Sequence, residues 1–328
     1  MIRFFRGSGI GPVLLLTLSA LALWIQFLIS PPRLTDVSGS DPMPLWGLIA
    51  NALEGSPLLA AILSFALLLI VAIVMVRFNT SIFFIPRRTY LPALIYIILY
   101  ALFPGEMVLN PALPAALLIL AGMWRMVSSY RVNGMTFNFF DAALLISSAG
   151  MFYAGAIWFI ILVLIGALIL RSPDSRELTV TIAGALLPWI LLYAIWYVTG
   201  GDVGDLSEII RHNLFDDVPP VQWGRTLVIL LAMTGLNILP SLGALISEMP
   251  TYKIRSRKTF ELFVWMIVLC IAVYIFIPSV SAEMNAITAL PVAFIMANYY
   301  AFTRRLTAAE IFFWLMVVML IISRLWPY

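Results

Sequence analysis

The chain has 328 residues, 63% of them hydrophobic and only 11% charged, with a mean hydropathy of +1.04. Too little charge is present to cover a soluble surface, and the ~10-residue alternating segments of a β-barrel are absent, so the composition points to an all-α polytopic membrane protein. One histidine and one cysteine exclude a multi-histidine metal site, a bis-histidine haem, a Cys/His zinc site and an intrachain disulfide.

The N-terminus, MIRFFRGSG, leads into an apolar run from Ile10 to Ser30. That run is longer than the apolar region of a signal peptide and reads as a retained first span. Further candidate spans follow at about 57–76, 91–104, 111–128, 139–149, 152–170, 178–199, 225–247, 260–277, 286–303 and 308–325. The whole chain, 1–328, reads as one integral membrane domain of about eleven spans.

The stretch FFDAALLISSAGMFYAG decides the count. After Asp141 no charge occurs until Arg171, a run too long for one ordinary span and short for two. A hairpin bent at Ser147-Ser148-Ala149-Gly150, with the N-terminus inside, puts fifteen of the nineteen Lys and Arg residues in inner loops. A single helix instead moves the eight from Arg171 to Arg305 outside. Lys and Arg collect on the cytoplasmic side, so the hairpin is preferred, with the C-terminus outside. Asn138 is expected to cap the first arm, with Asp141 three residues on at the positive helix end.

Two outer loops exceed what a connection needs. In the first, residues 31–56, the segment PLWGLIANALEG puts Leu45, Trp46, Ile49 and Leu53 on one helical face. In the second, residues 200–224, Asp205 and Glu208 form a capping-box-like pair, and Leu206, Ile209, Ile210 and Leu214 share a face. Both read as amphipathic helices lying on the outer surface. Ten of the sixteen acids fall on that side, so the outer face is acidic and the inner face basic.

Within the spans, Asn237 and Asn298 are expected to bond between helices, and prolines 92, 114, 188, 240 and 291 fall in or at the ends of spans. Gly200-Gly201 lacks the Lys and Ser/Thr of a phosphate-binding loop. Carboxylate chemistry on the outer face remains. Asp36 and Asp41, which follow the first span, are the candidate catalytic residues, because glycosyl transfer needs a base for the acceptor hydroxyl. Arg33, Trp46, Asp205, Glu208, Arg211 and His212 are the candidate substrate-binding residues.

The run from Leu109 to Ser129, LNPALPAALLILAGMWRMVSS, followed by FFDAALLISSAGMFYAGAIWFIILVLIGALILR, resembles an uncharacterised bacterial family of polytopic membrane proteins. The layout also resembles, more loosely, the GT-C superfamily of polyprenyl-phosphate-sugar glycosyltransferases. That likeness implies first-loop acids at Asp36 and Asp41, here five apart in TDVSGSD rather than adjacent. The expectation is therefore a protein of the bacterial inner membrane that handles a lipid-linked substrate at the outer leaflet. A scaffold subunit of an envelope complex and a transporter are the alternatives. The expected partners are membrane lipids, a polyprenyl-phosphate-linked sugar and other envelope proteins, with no nucleic acid. No cofactor is assigned.

Overall fold

The computed structural model describes residues 9–31, 42–85, 89–103, 107–130, 137–170, 174–216, 225–280, 282–303 and 306–325. Among these, thirteen α-helices form and no strand does: α1 Ile10–Ile29, α2 Pro44–Leu53, α3 Pro57–Ile82, α4 Leu91–Ala101, α5 Ala112–Ser128, α6 Phe137–Ala149, α7 Ile160–Leu170, α8 Ser175–Val198, α9 Val203–Phe215, α10 Arg225–Glu248, α11 Ile254–Phe276, α12 Asn285–Phe302 and α13 Leu306–Leu325. Seven helical segments are long and apolar enough to cross a membrane, the cores of α1, α3, α8, α10, α11, α12 and α13. The apolar helices α4, α5, α6 and α7 are shorter.

Of the short helices, α4 and α5 lie inside. All eleven residues of α4 are buried, as are fourteen of the eighteen in α12, against which it packs. At 1.5 Å per residue α4 rises only about 16 Å, so its ends depend on the protein around them. The Tyr96 hydroxyl donates to the Ala286 carbonyl at 3.1 Å, and the Asn285 amide donates to the Leu99 carbonyl at 3.2 Å. Around this pair, Phe78, Phe84, Phe263 and Phe294 bring α3, α11 and α12 together, with Phe263 stacked on Phe294 at 4.7 Å.

Of the two asparagines expected to bond between helices, Asn237 does so, while Asn298 reaches the segment before α11. Tyr300 donates to Asn237 Oδ1 at 3.1 Å, and Asn298 donates to the Tyr252 hydroxyl at 2.9 Å. Pro188, Pro240 and Pro291 sit inside α8, α10 and α12. Pro92 and Pro114 lie in the first turns of α4 and α5, where a missing N–H costs nothing.

The stretch after Asp141 does break. α6 stops at Ala149, a turn follows, and a 3₁₀ helix, Ala154–Phe159, leads into α7. The direction of each arm can be read from its contacts. Gly122 of α5 faces Ile146 of α6, and Arg125 pairs with Asp141, so α5 and α6 are antiparallel. Phe140 lies on Gly184 of α8, while Ser147 Oγ donates to the Ala185 carbonyl at 2.6 Å and accepts from Trp189 Nε1 at 2.9 Å, so α6 and α8 are parallel. The segment between them must therefore return, so α7 runs antiparallel to α8; at the turn, Ile157 and Trp189 both lie beside Gly150.

Two glycines make this arrangement possible. A Cβ on Gly122 would stand 2.7 Å from the Ile146 side chain, and one on Gly184 would stand 2.6 Å from the Phe140 carbonyl oxygen. With Ala142 and Ala143 also buried, α6 is clasped on two sides at backbone distance, the small-residue packing of helices that cannot rely on a hydrophobic driving force.

One expectation fails here. α6 opens at Phe137, which places Asn138 inside its first turn and Asp141 in its second, too deep for a cap. The partner of Asp141 is Arg125 on the neighbouring helix, at 3.6 Å.

Candidate functional site

The amphipathic segments in the two long loops both fold as helices, and both pack on one apolar cluster. On α2, Trp46, Ile49, Ala50 and Leu53 recur at helical spacing and turn to one side. Leu45 sits beside that face, and its backbone N–H donates to the Met151 carbonyl at 3.2 Å. Ile210 and Leu214 of α9 join the same cluster, with Met43, Leu109, Ala154 and Trp189 beneath. The α6–α7 connection, through Met151 and Ala154, thus forms part of the floor on which both helices rest.

The corner before α9 explains its placing. α8 ends with Gly200 at φ +87°, where a side chain would be strained. Gly200 N–H bonds the Tyr197 carbonyl and Gly201 N–H bonds the Trp196 carbonyl, the Schellman pattern that closes a helix C-terminus. A Cβ on Gly201 would collide with the Trp196 ring, whose Nε1 donates to the Asp202 carbonyl at 3.0 Å. Asp202 then caps α9, its carboxylate accepting from Gly204 N–H at 2.9 Å. This corrects the expected cap: Asp205 is in the first turn, because the tight Gly-Gly corner lets the helix begin three residues earlier. Tyr193 bonds Ser207, and Ser279 Oγ donates to the Leu214 carbonyl at 2.9 Å, so α9 is held at both ends.

Of the candidate substrate-binding residues, Asp205, Glu208, Arg211 and His212 share the exposed side of α9, away from buried Leu206. His212 Nδ1 is bonded to Asp216 one turn on. Trp46 is separated from them. It is 3% exposed and belongs to the floor rather than to the open face. Arg33, Asp36 and Asp41 lie outside the described residues. Among the described residues no three His, Cys, Asp or Glu side chains come together as a metal site.

Sequence reasoning missed two parts of this region. Trp189 links the floor to Ser147, and it also closes the top of an apolar crevice of about 330 Å³ between α7 and α8, lined by Ile157, Ile160, Leu164, Ile182, Ala185 and Leu186. The signal was the Ser147-Ser148 pair in an apolar run, since a hydroxyl there needs a bonding partner on another helix.

Seven helices able to cross a membrane, packed round short buried ones, define a polytopic helical membrane protein. The chain belongs to the family of unknown function DUF6427, whose model matches residues 48–326. That match begins inside α2, after Arg33, Asp36, Asp41 and Trp46. No curated protein and no solved structure matches the chain.

Proposed function

We propose that this protein handles a lipid-linked substrate at the membrane face formed by α2 and α9. One observation carries the reading: two amphipathic helices, far apart in sequence, converge on one apolar cluster beside an open apolar crevice. An isoprenoid or acyl tail fits the crevice below Trp189, and a polar head then meets the exposed face of α9. Arg211 and His212 offer donors to a phosphate there.

The reaction class is glycosyl transfer of the GT-C kind. Asp36 or Asp41 takes the proton of an acceptor hydroxyl, the acceptor oxygen bonds the sugar C1, and the polyprenyl phosphate leaves with the electrons of the broken C–O bond. An amide cannot serve as that base. The Asp36→Asn/Asp41→Asn double variant should therefore reach normal membrane levels and fail to complement a deletion strain. Full complementation would rule out first-loop catalysis.

A second reading, a non-catalytic scaffold subunit of a bacterial envelope complex, is favoured by the start of the family match at residue 48, beyond both acids. Complementation by the double variant moves it to first place.

The topology that accompanies either reading has eleven passages through the bacterial inner membrane, the N-terminus in the cytoplasm and the C-terminus outside. The return of α7 between α6 and α8 supports it, as does the sorting of contacts by end. Leu45 meets Met151 and Ser279 meets Leu214 at one end, while Arg255 meets Val127 and Asn298 meets Tyr252 at the other.

A further inference from the structure

We propose that the basic end of α11, at the opposite end of the bundle from α2 and α9, binds the phosphate of an anionic lipid headgroup. Lys253, Arg255, Arg257 and Lys258 fall within six positions where the chain enters α11. One carboxylate on the helix opposes them. Glu261 is shared between Arg257 at 3.7 Å and Lys258 at 3.4 Å. The other nearby acid, Glu248 at the end of α10, accepts from the Tyr252 hydroxyl at 2.8 Å.

Arg255 is the telling residue. Its Nη2 donates to the Val127 carbonyl at the C-terminal end of α5, at 3.3 Å. Its Nε is buried and has no hydrogen-bond acceptor among the described residues. A buried guanidinium N–H without an acceptor is costly, and a guanidinium fork matches the oxygens of a lipid phosphate. Lys258 lies one turn on, beside Arg255. The apolar body of α11 follows at once, which sets these cations at headgroup depth. Four basic residues at the mouth of a spanning helix form the pattern that attracts anionic lipids. The ligand is a phosphate diester at the bilayer surface, and free inorganic phosphate is the competing source of the same chemistry.

The test uses the full chain in phosphatidylcholine nanodiscs. Dioleoylphosphatidylglycerol is titrated in, and thermal unfolding is followed. The expected result is a rise in Tm that saturates with the phosphatidylglycerol fraction. Arg255→Gln or Lys258→Gln should each raise the half-saturating fraction about fivefold. Arg77→Gln, an exposed cation on α3 outside the four-residue cluster, should leave it unchanged. If Arg255→Gln does not fold, the half-buried Lys258→Gln carries the measurement alone. The proposal is overturned if phosphatidylglycerol gives no shift, if Arg77→Gln weakens binding as much as Lys258→Gln, or if inorganic phosphate alone reproduces the shift.

Discussion

Arg125 of α5 and Asp141 of α6 form an ion pair at 3.6 Å that ties two antiparallel short helices near one end of the bundle. Their side chains are 57% and 40% exposed, so water and counter-ions screen most of the attraction. Asp141→Asn should cost under about 1 kcal/mol in thermal unfolding and leave function intact. A well-folded Asp141→Asn protein without function would instead mark Asp141 as part of a site.

The glycines that clasp α6 should be far more sensitive. A methyl at Gly184 runs into the Phe140 backbone, which cannot rotate aside. Gly184→Ala should destabilise by about 1–3 kcal/mol, and Gly184→Leu should prevent folding. Gly55→Ala, where nothing lies within 4 Å, is the control and should be near neutral. Fluorescence-detected size-exclusion chromatography after a heating series would rank the three.

Orientation can be read by cysteine labelling. In a Cys270→Ala background, cysteines replace exposed Glu54, after α2, and exposed Lys253, before α11. The position at 54 should react with an impermeant maleimide on intact cells, and that at 253 only after permeabilisation. The reverse pattern would invert the proposed topology.

Tyr252 gives a pH dependence. Burial first, then its place beside Glu248, pushes the phenol up to about 12 from the usual 10, against an opposing effect of the Asn298 hydrogen bond. An acid with a raised folded value favours the neutral form in the native state. Its contribution is complete below pH 10 and is lost as pH rises through about 12. Tyr252→Phe should remove that alkaline loss, so the stability gap between wild type and variant should narrow between those two values.

Much of the architecture was legible in the residues. Apolar runs located the helices, and the charges flanking 139–170 argued for the break that the structure places after Ala149. The spacing of Trp46, Ile49 and Leu53, and of Leu206, Ile210 and Leu214, revealed both amphipathic helices, though not that their apolar faces turn onto the protein. What the linear pattern could not carry was pairing. The convergence of α2 and α9 depends on a floor assembled from Leu109 before α5, Ala154 between α6 and α7, and Trp189 in α8. The cap at Asp202 escaped because a Gly-Gly corner shifted the helix start. The same limit applied to Asp141, whose partner lies across a helix interface rather than along its own helix.

The clasp on α6 has a consequence for how the chain is made. Thirteen residues rise about 20 Å, short of the ~30 Å hydrocarbon core, and an isolated α6 would leave polar ends in lipid. Its second glycine wall, Gly184, emerges from the ribosome only after α7 is complete. On the proposed topology α6 needs shelter until α8 arrives, and α5 to α8 are expected to enter the bilayer together rather than helix by helix.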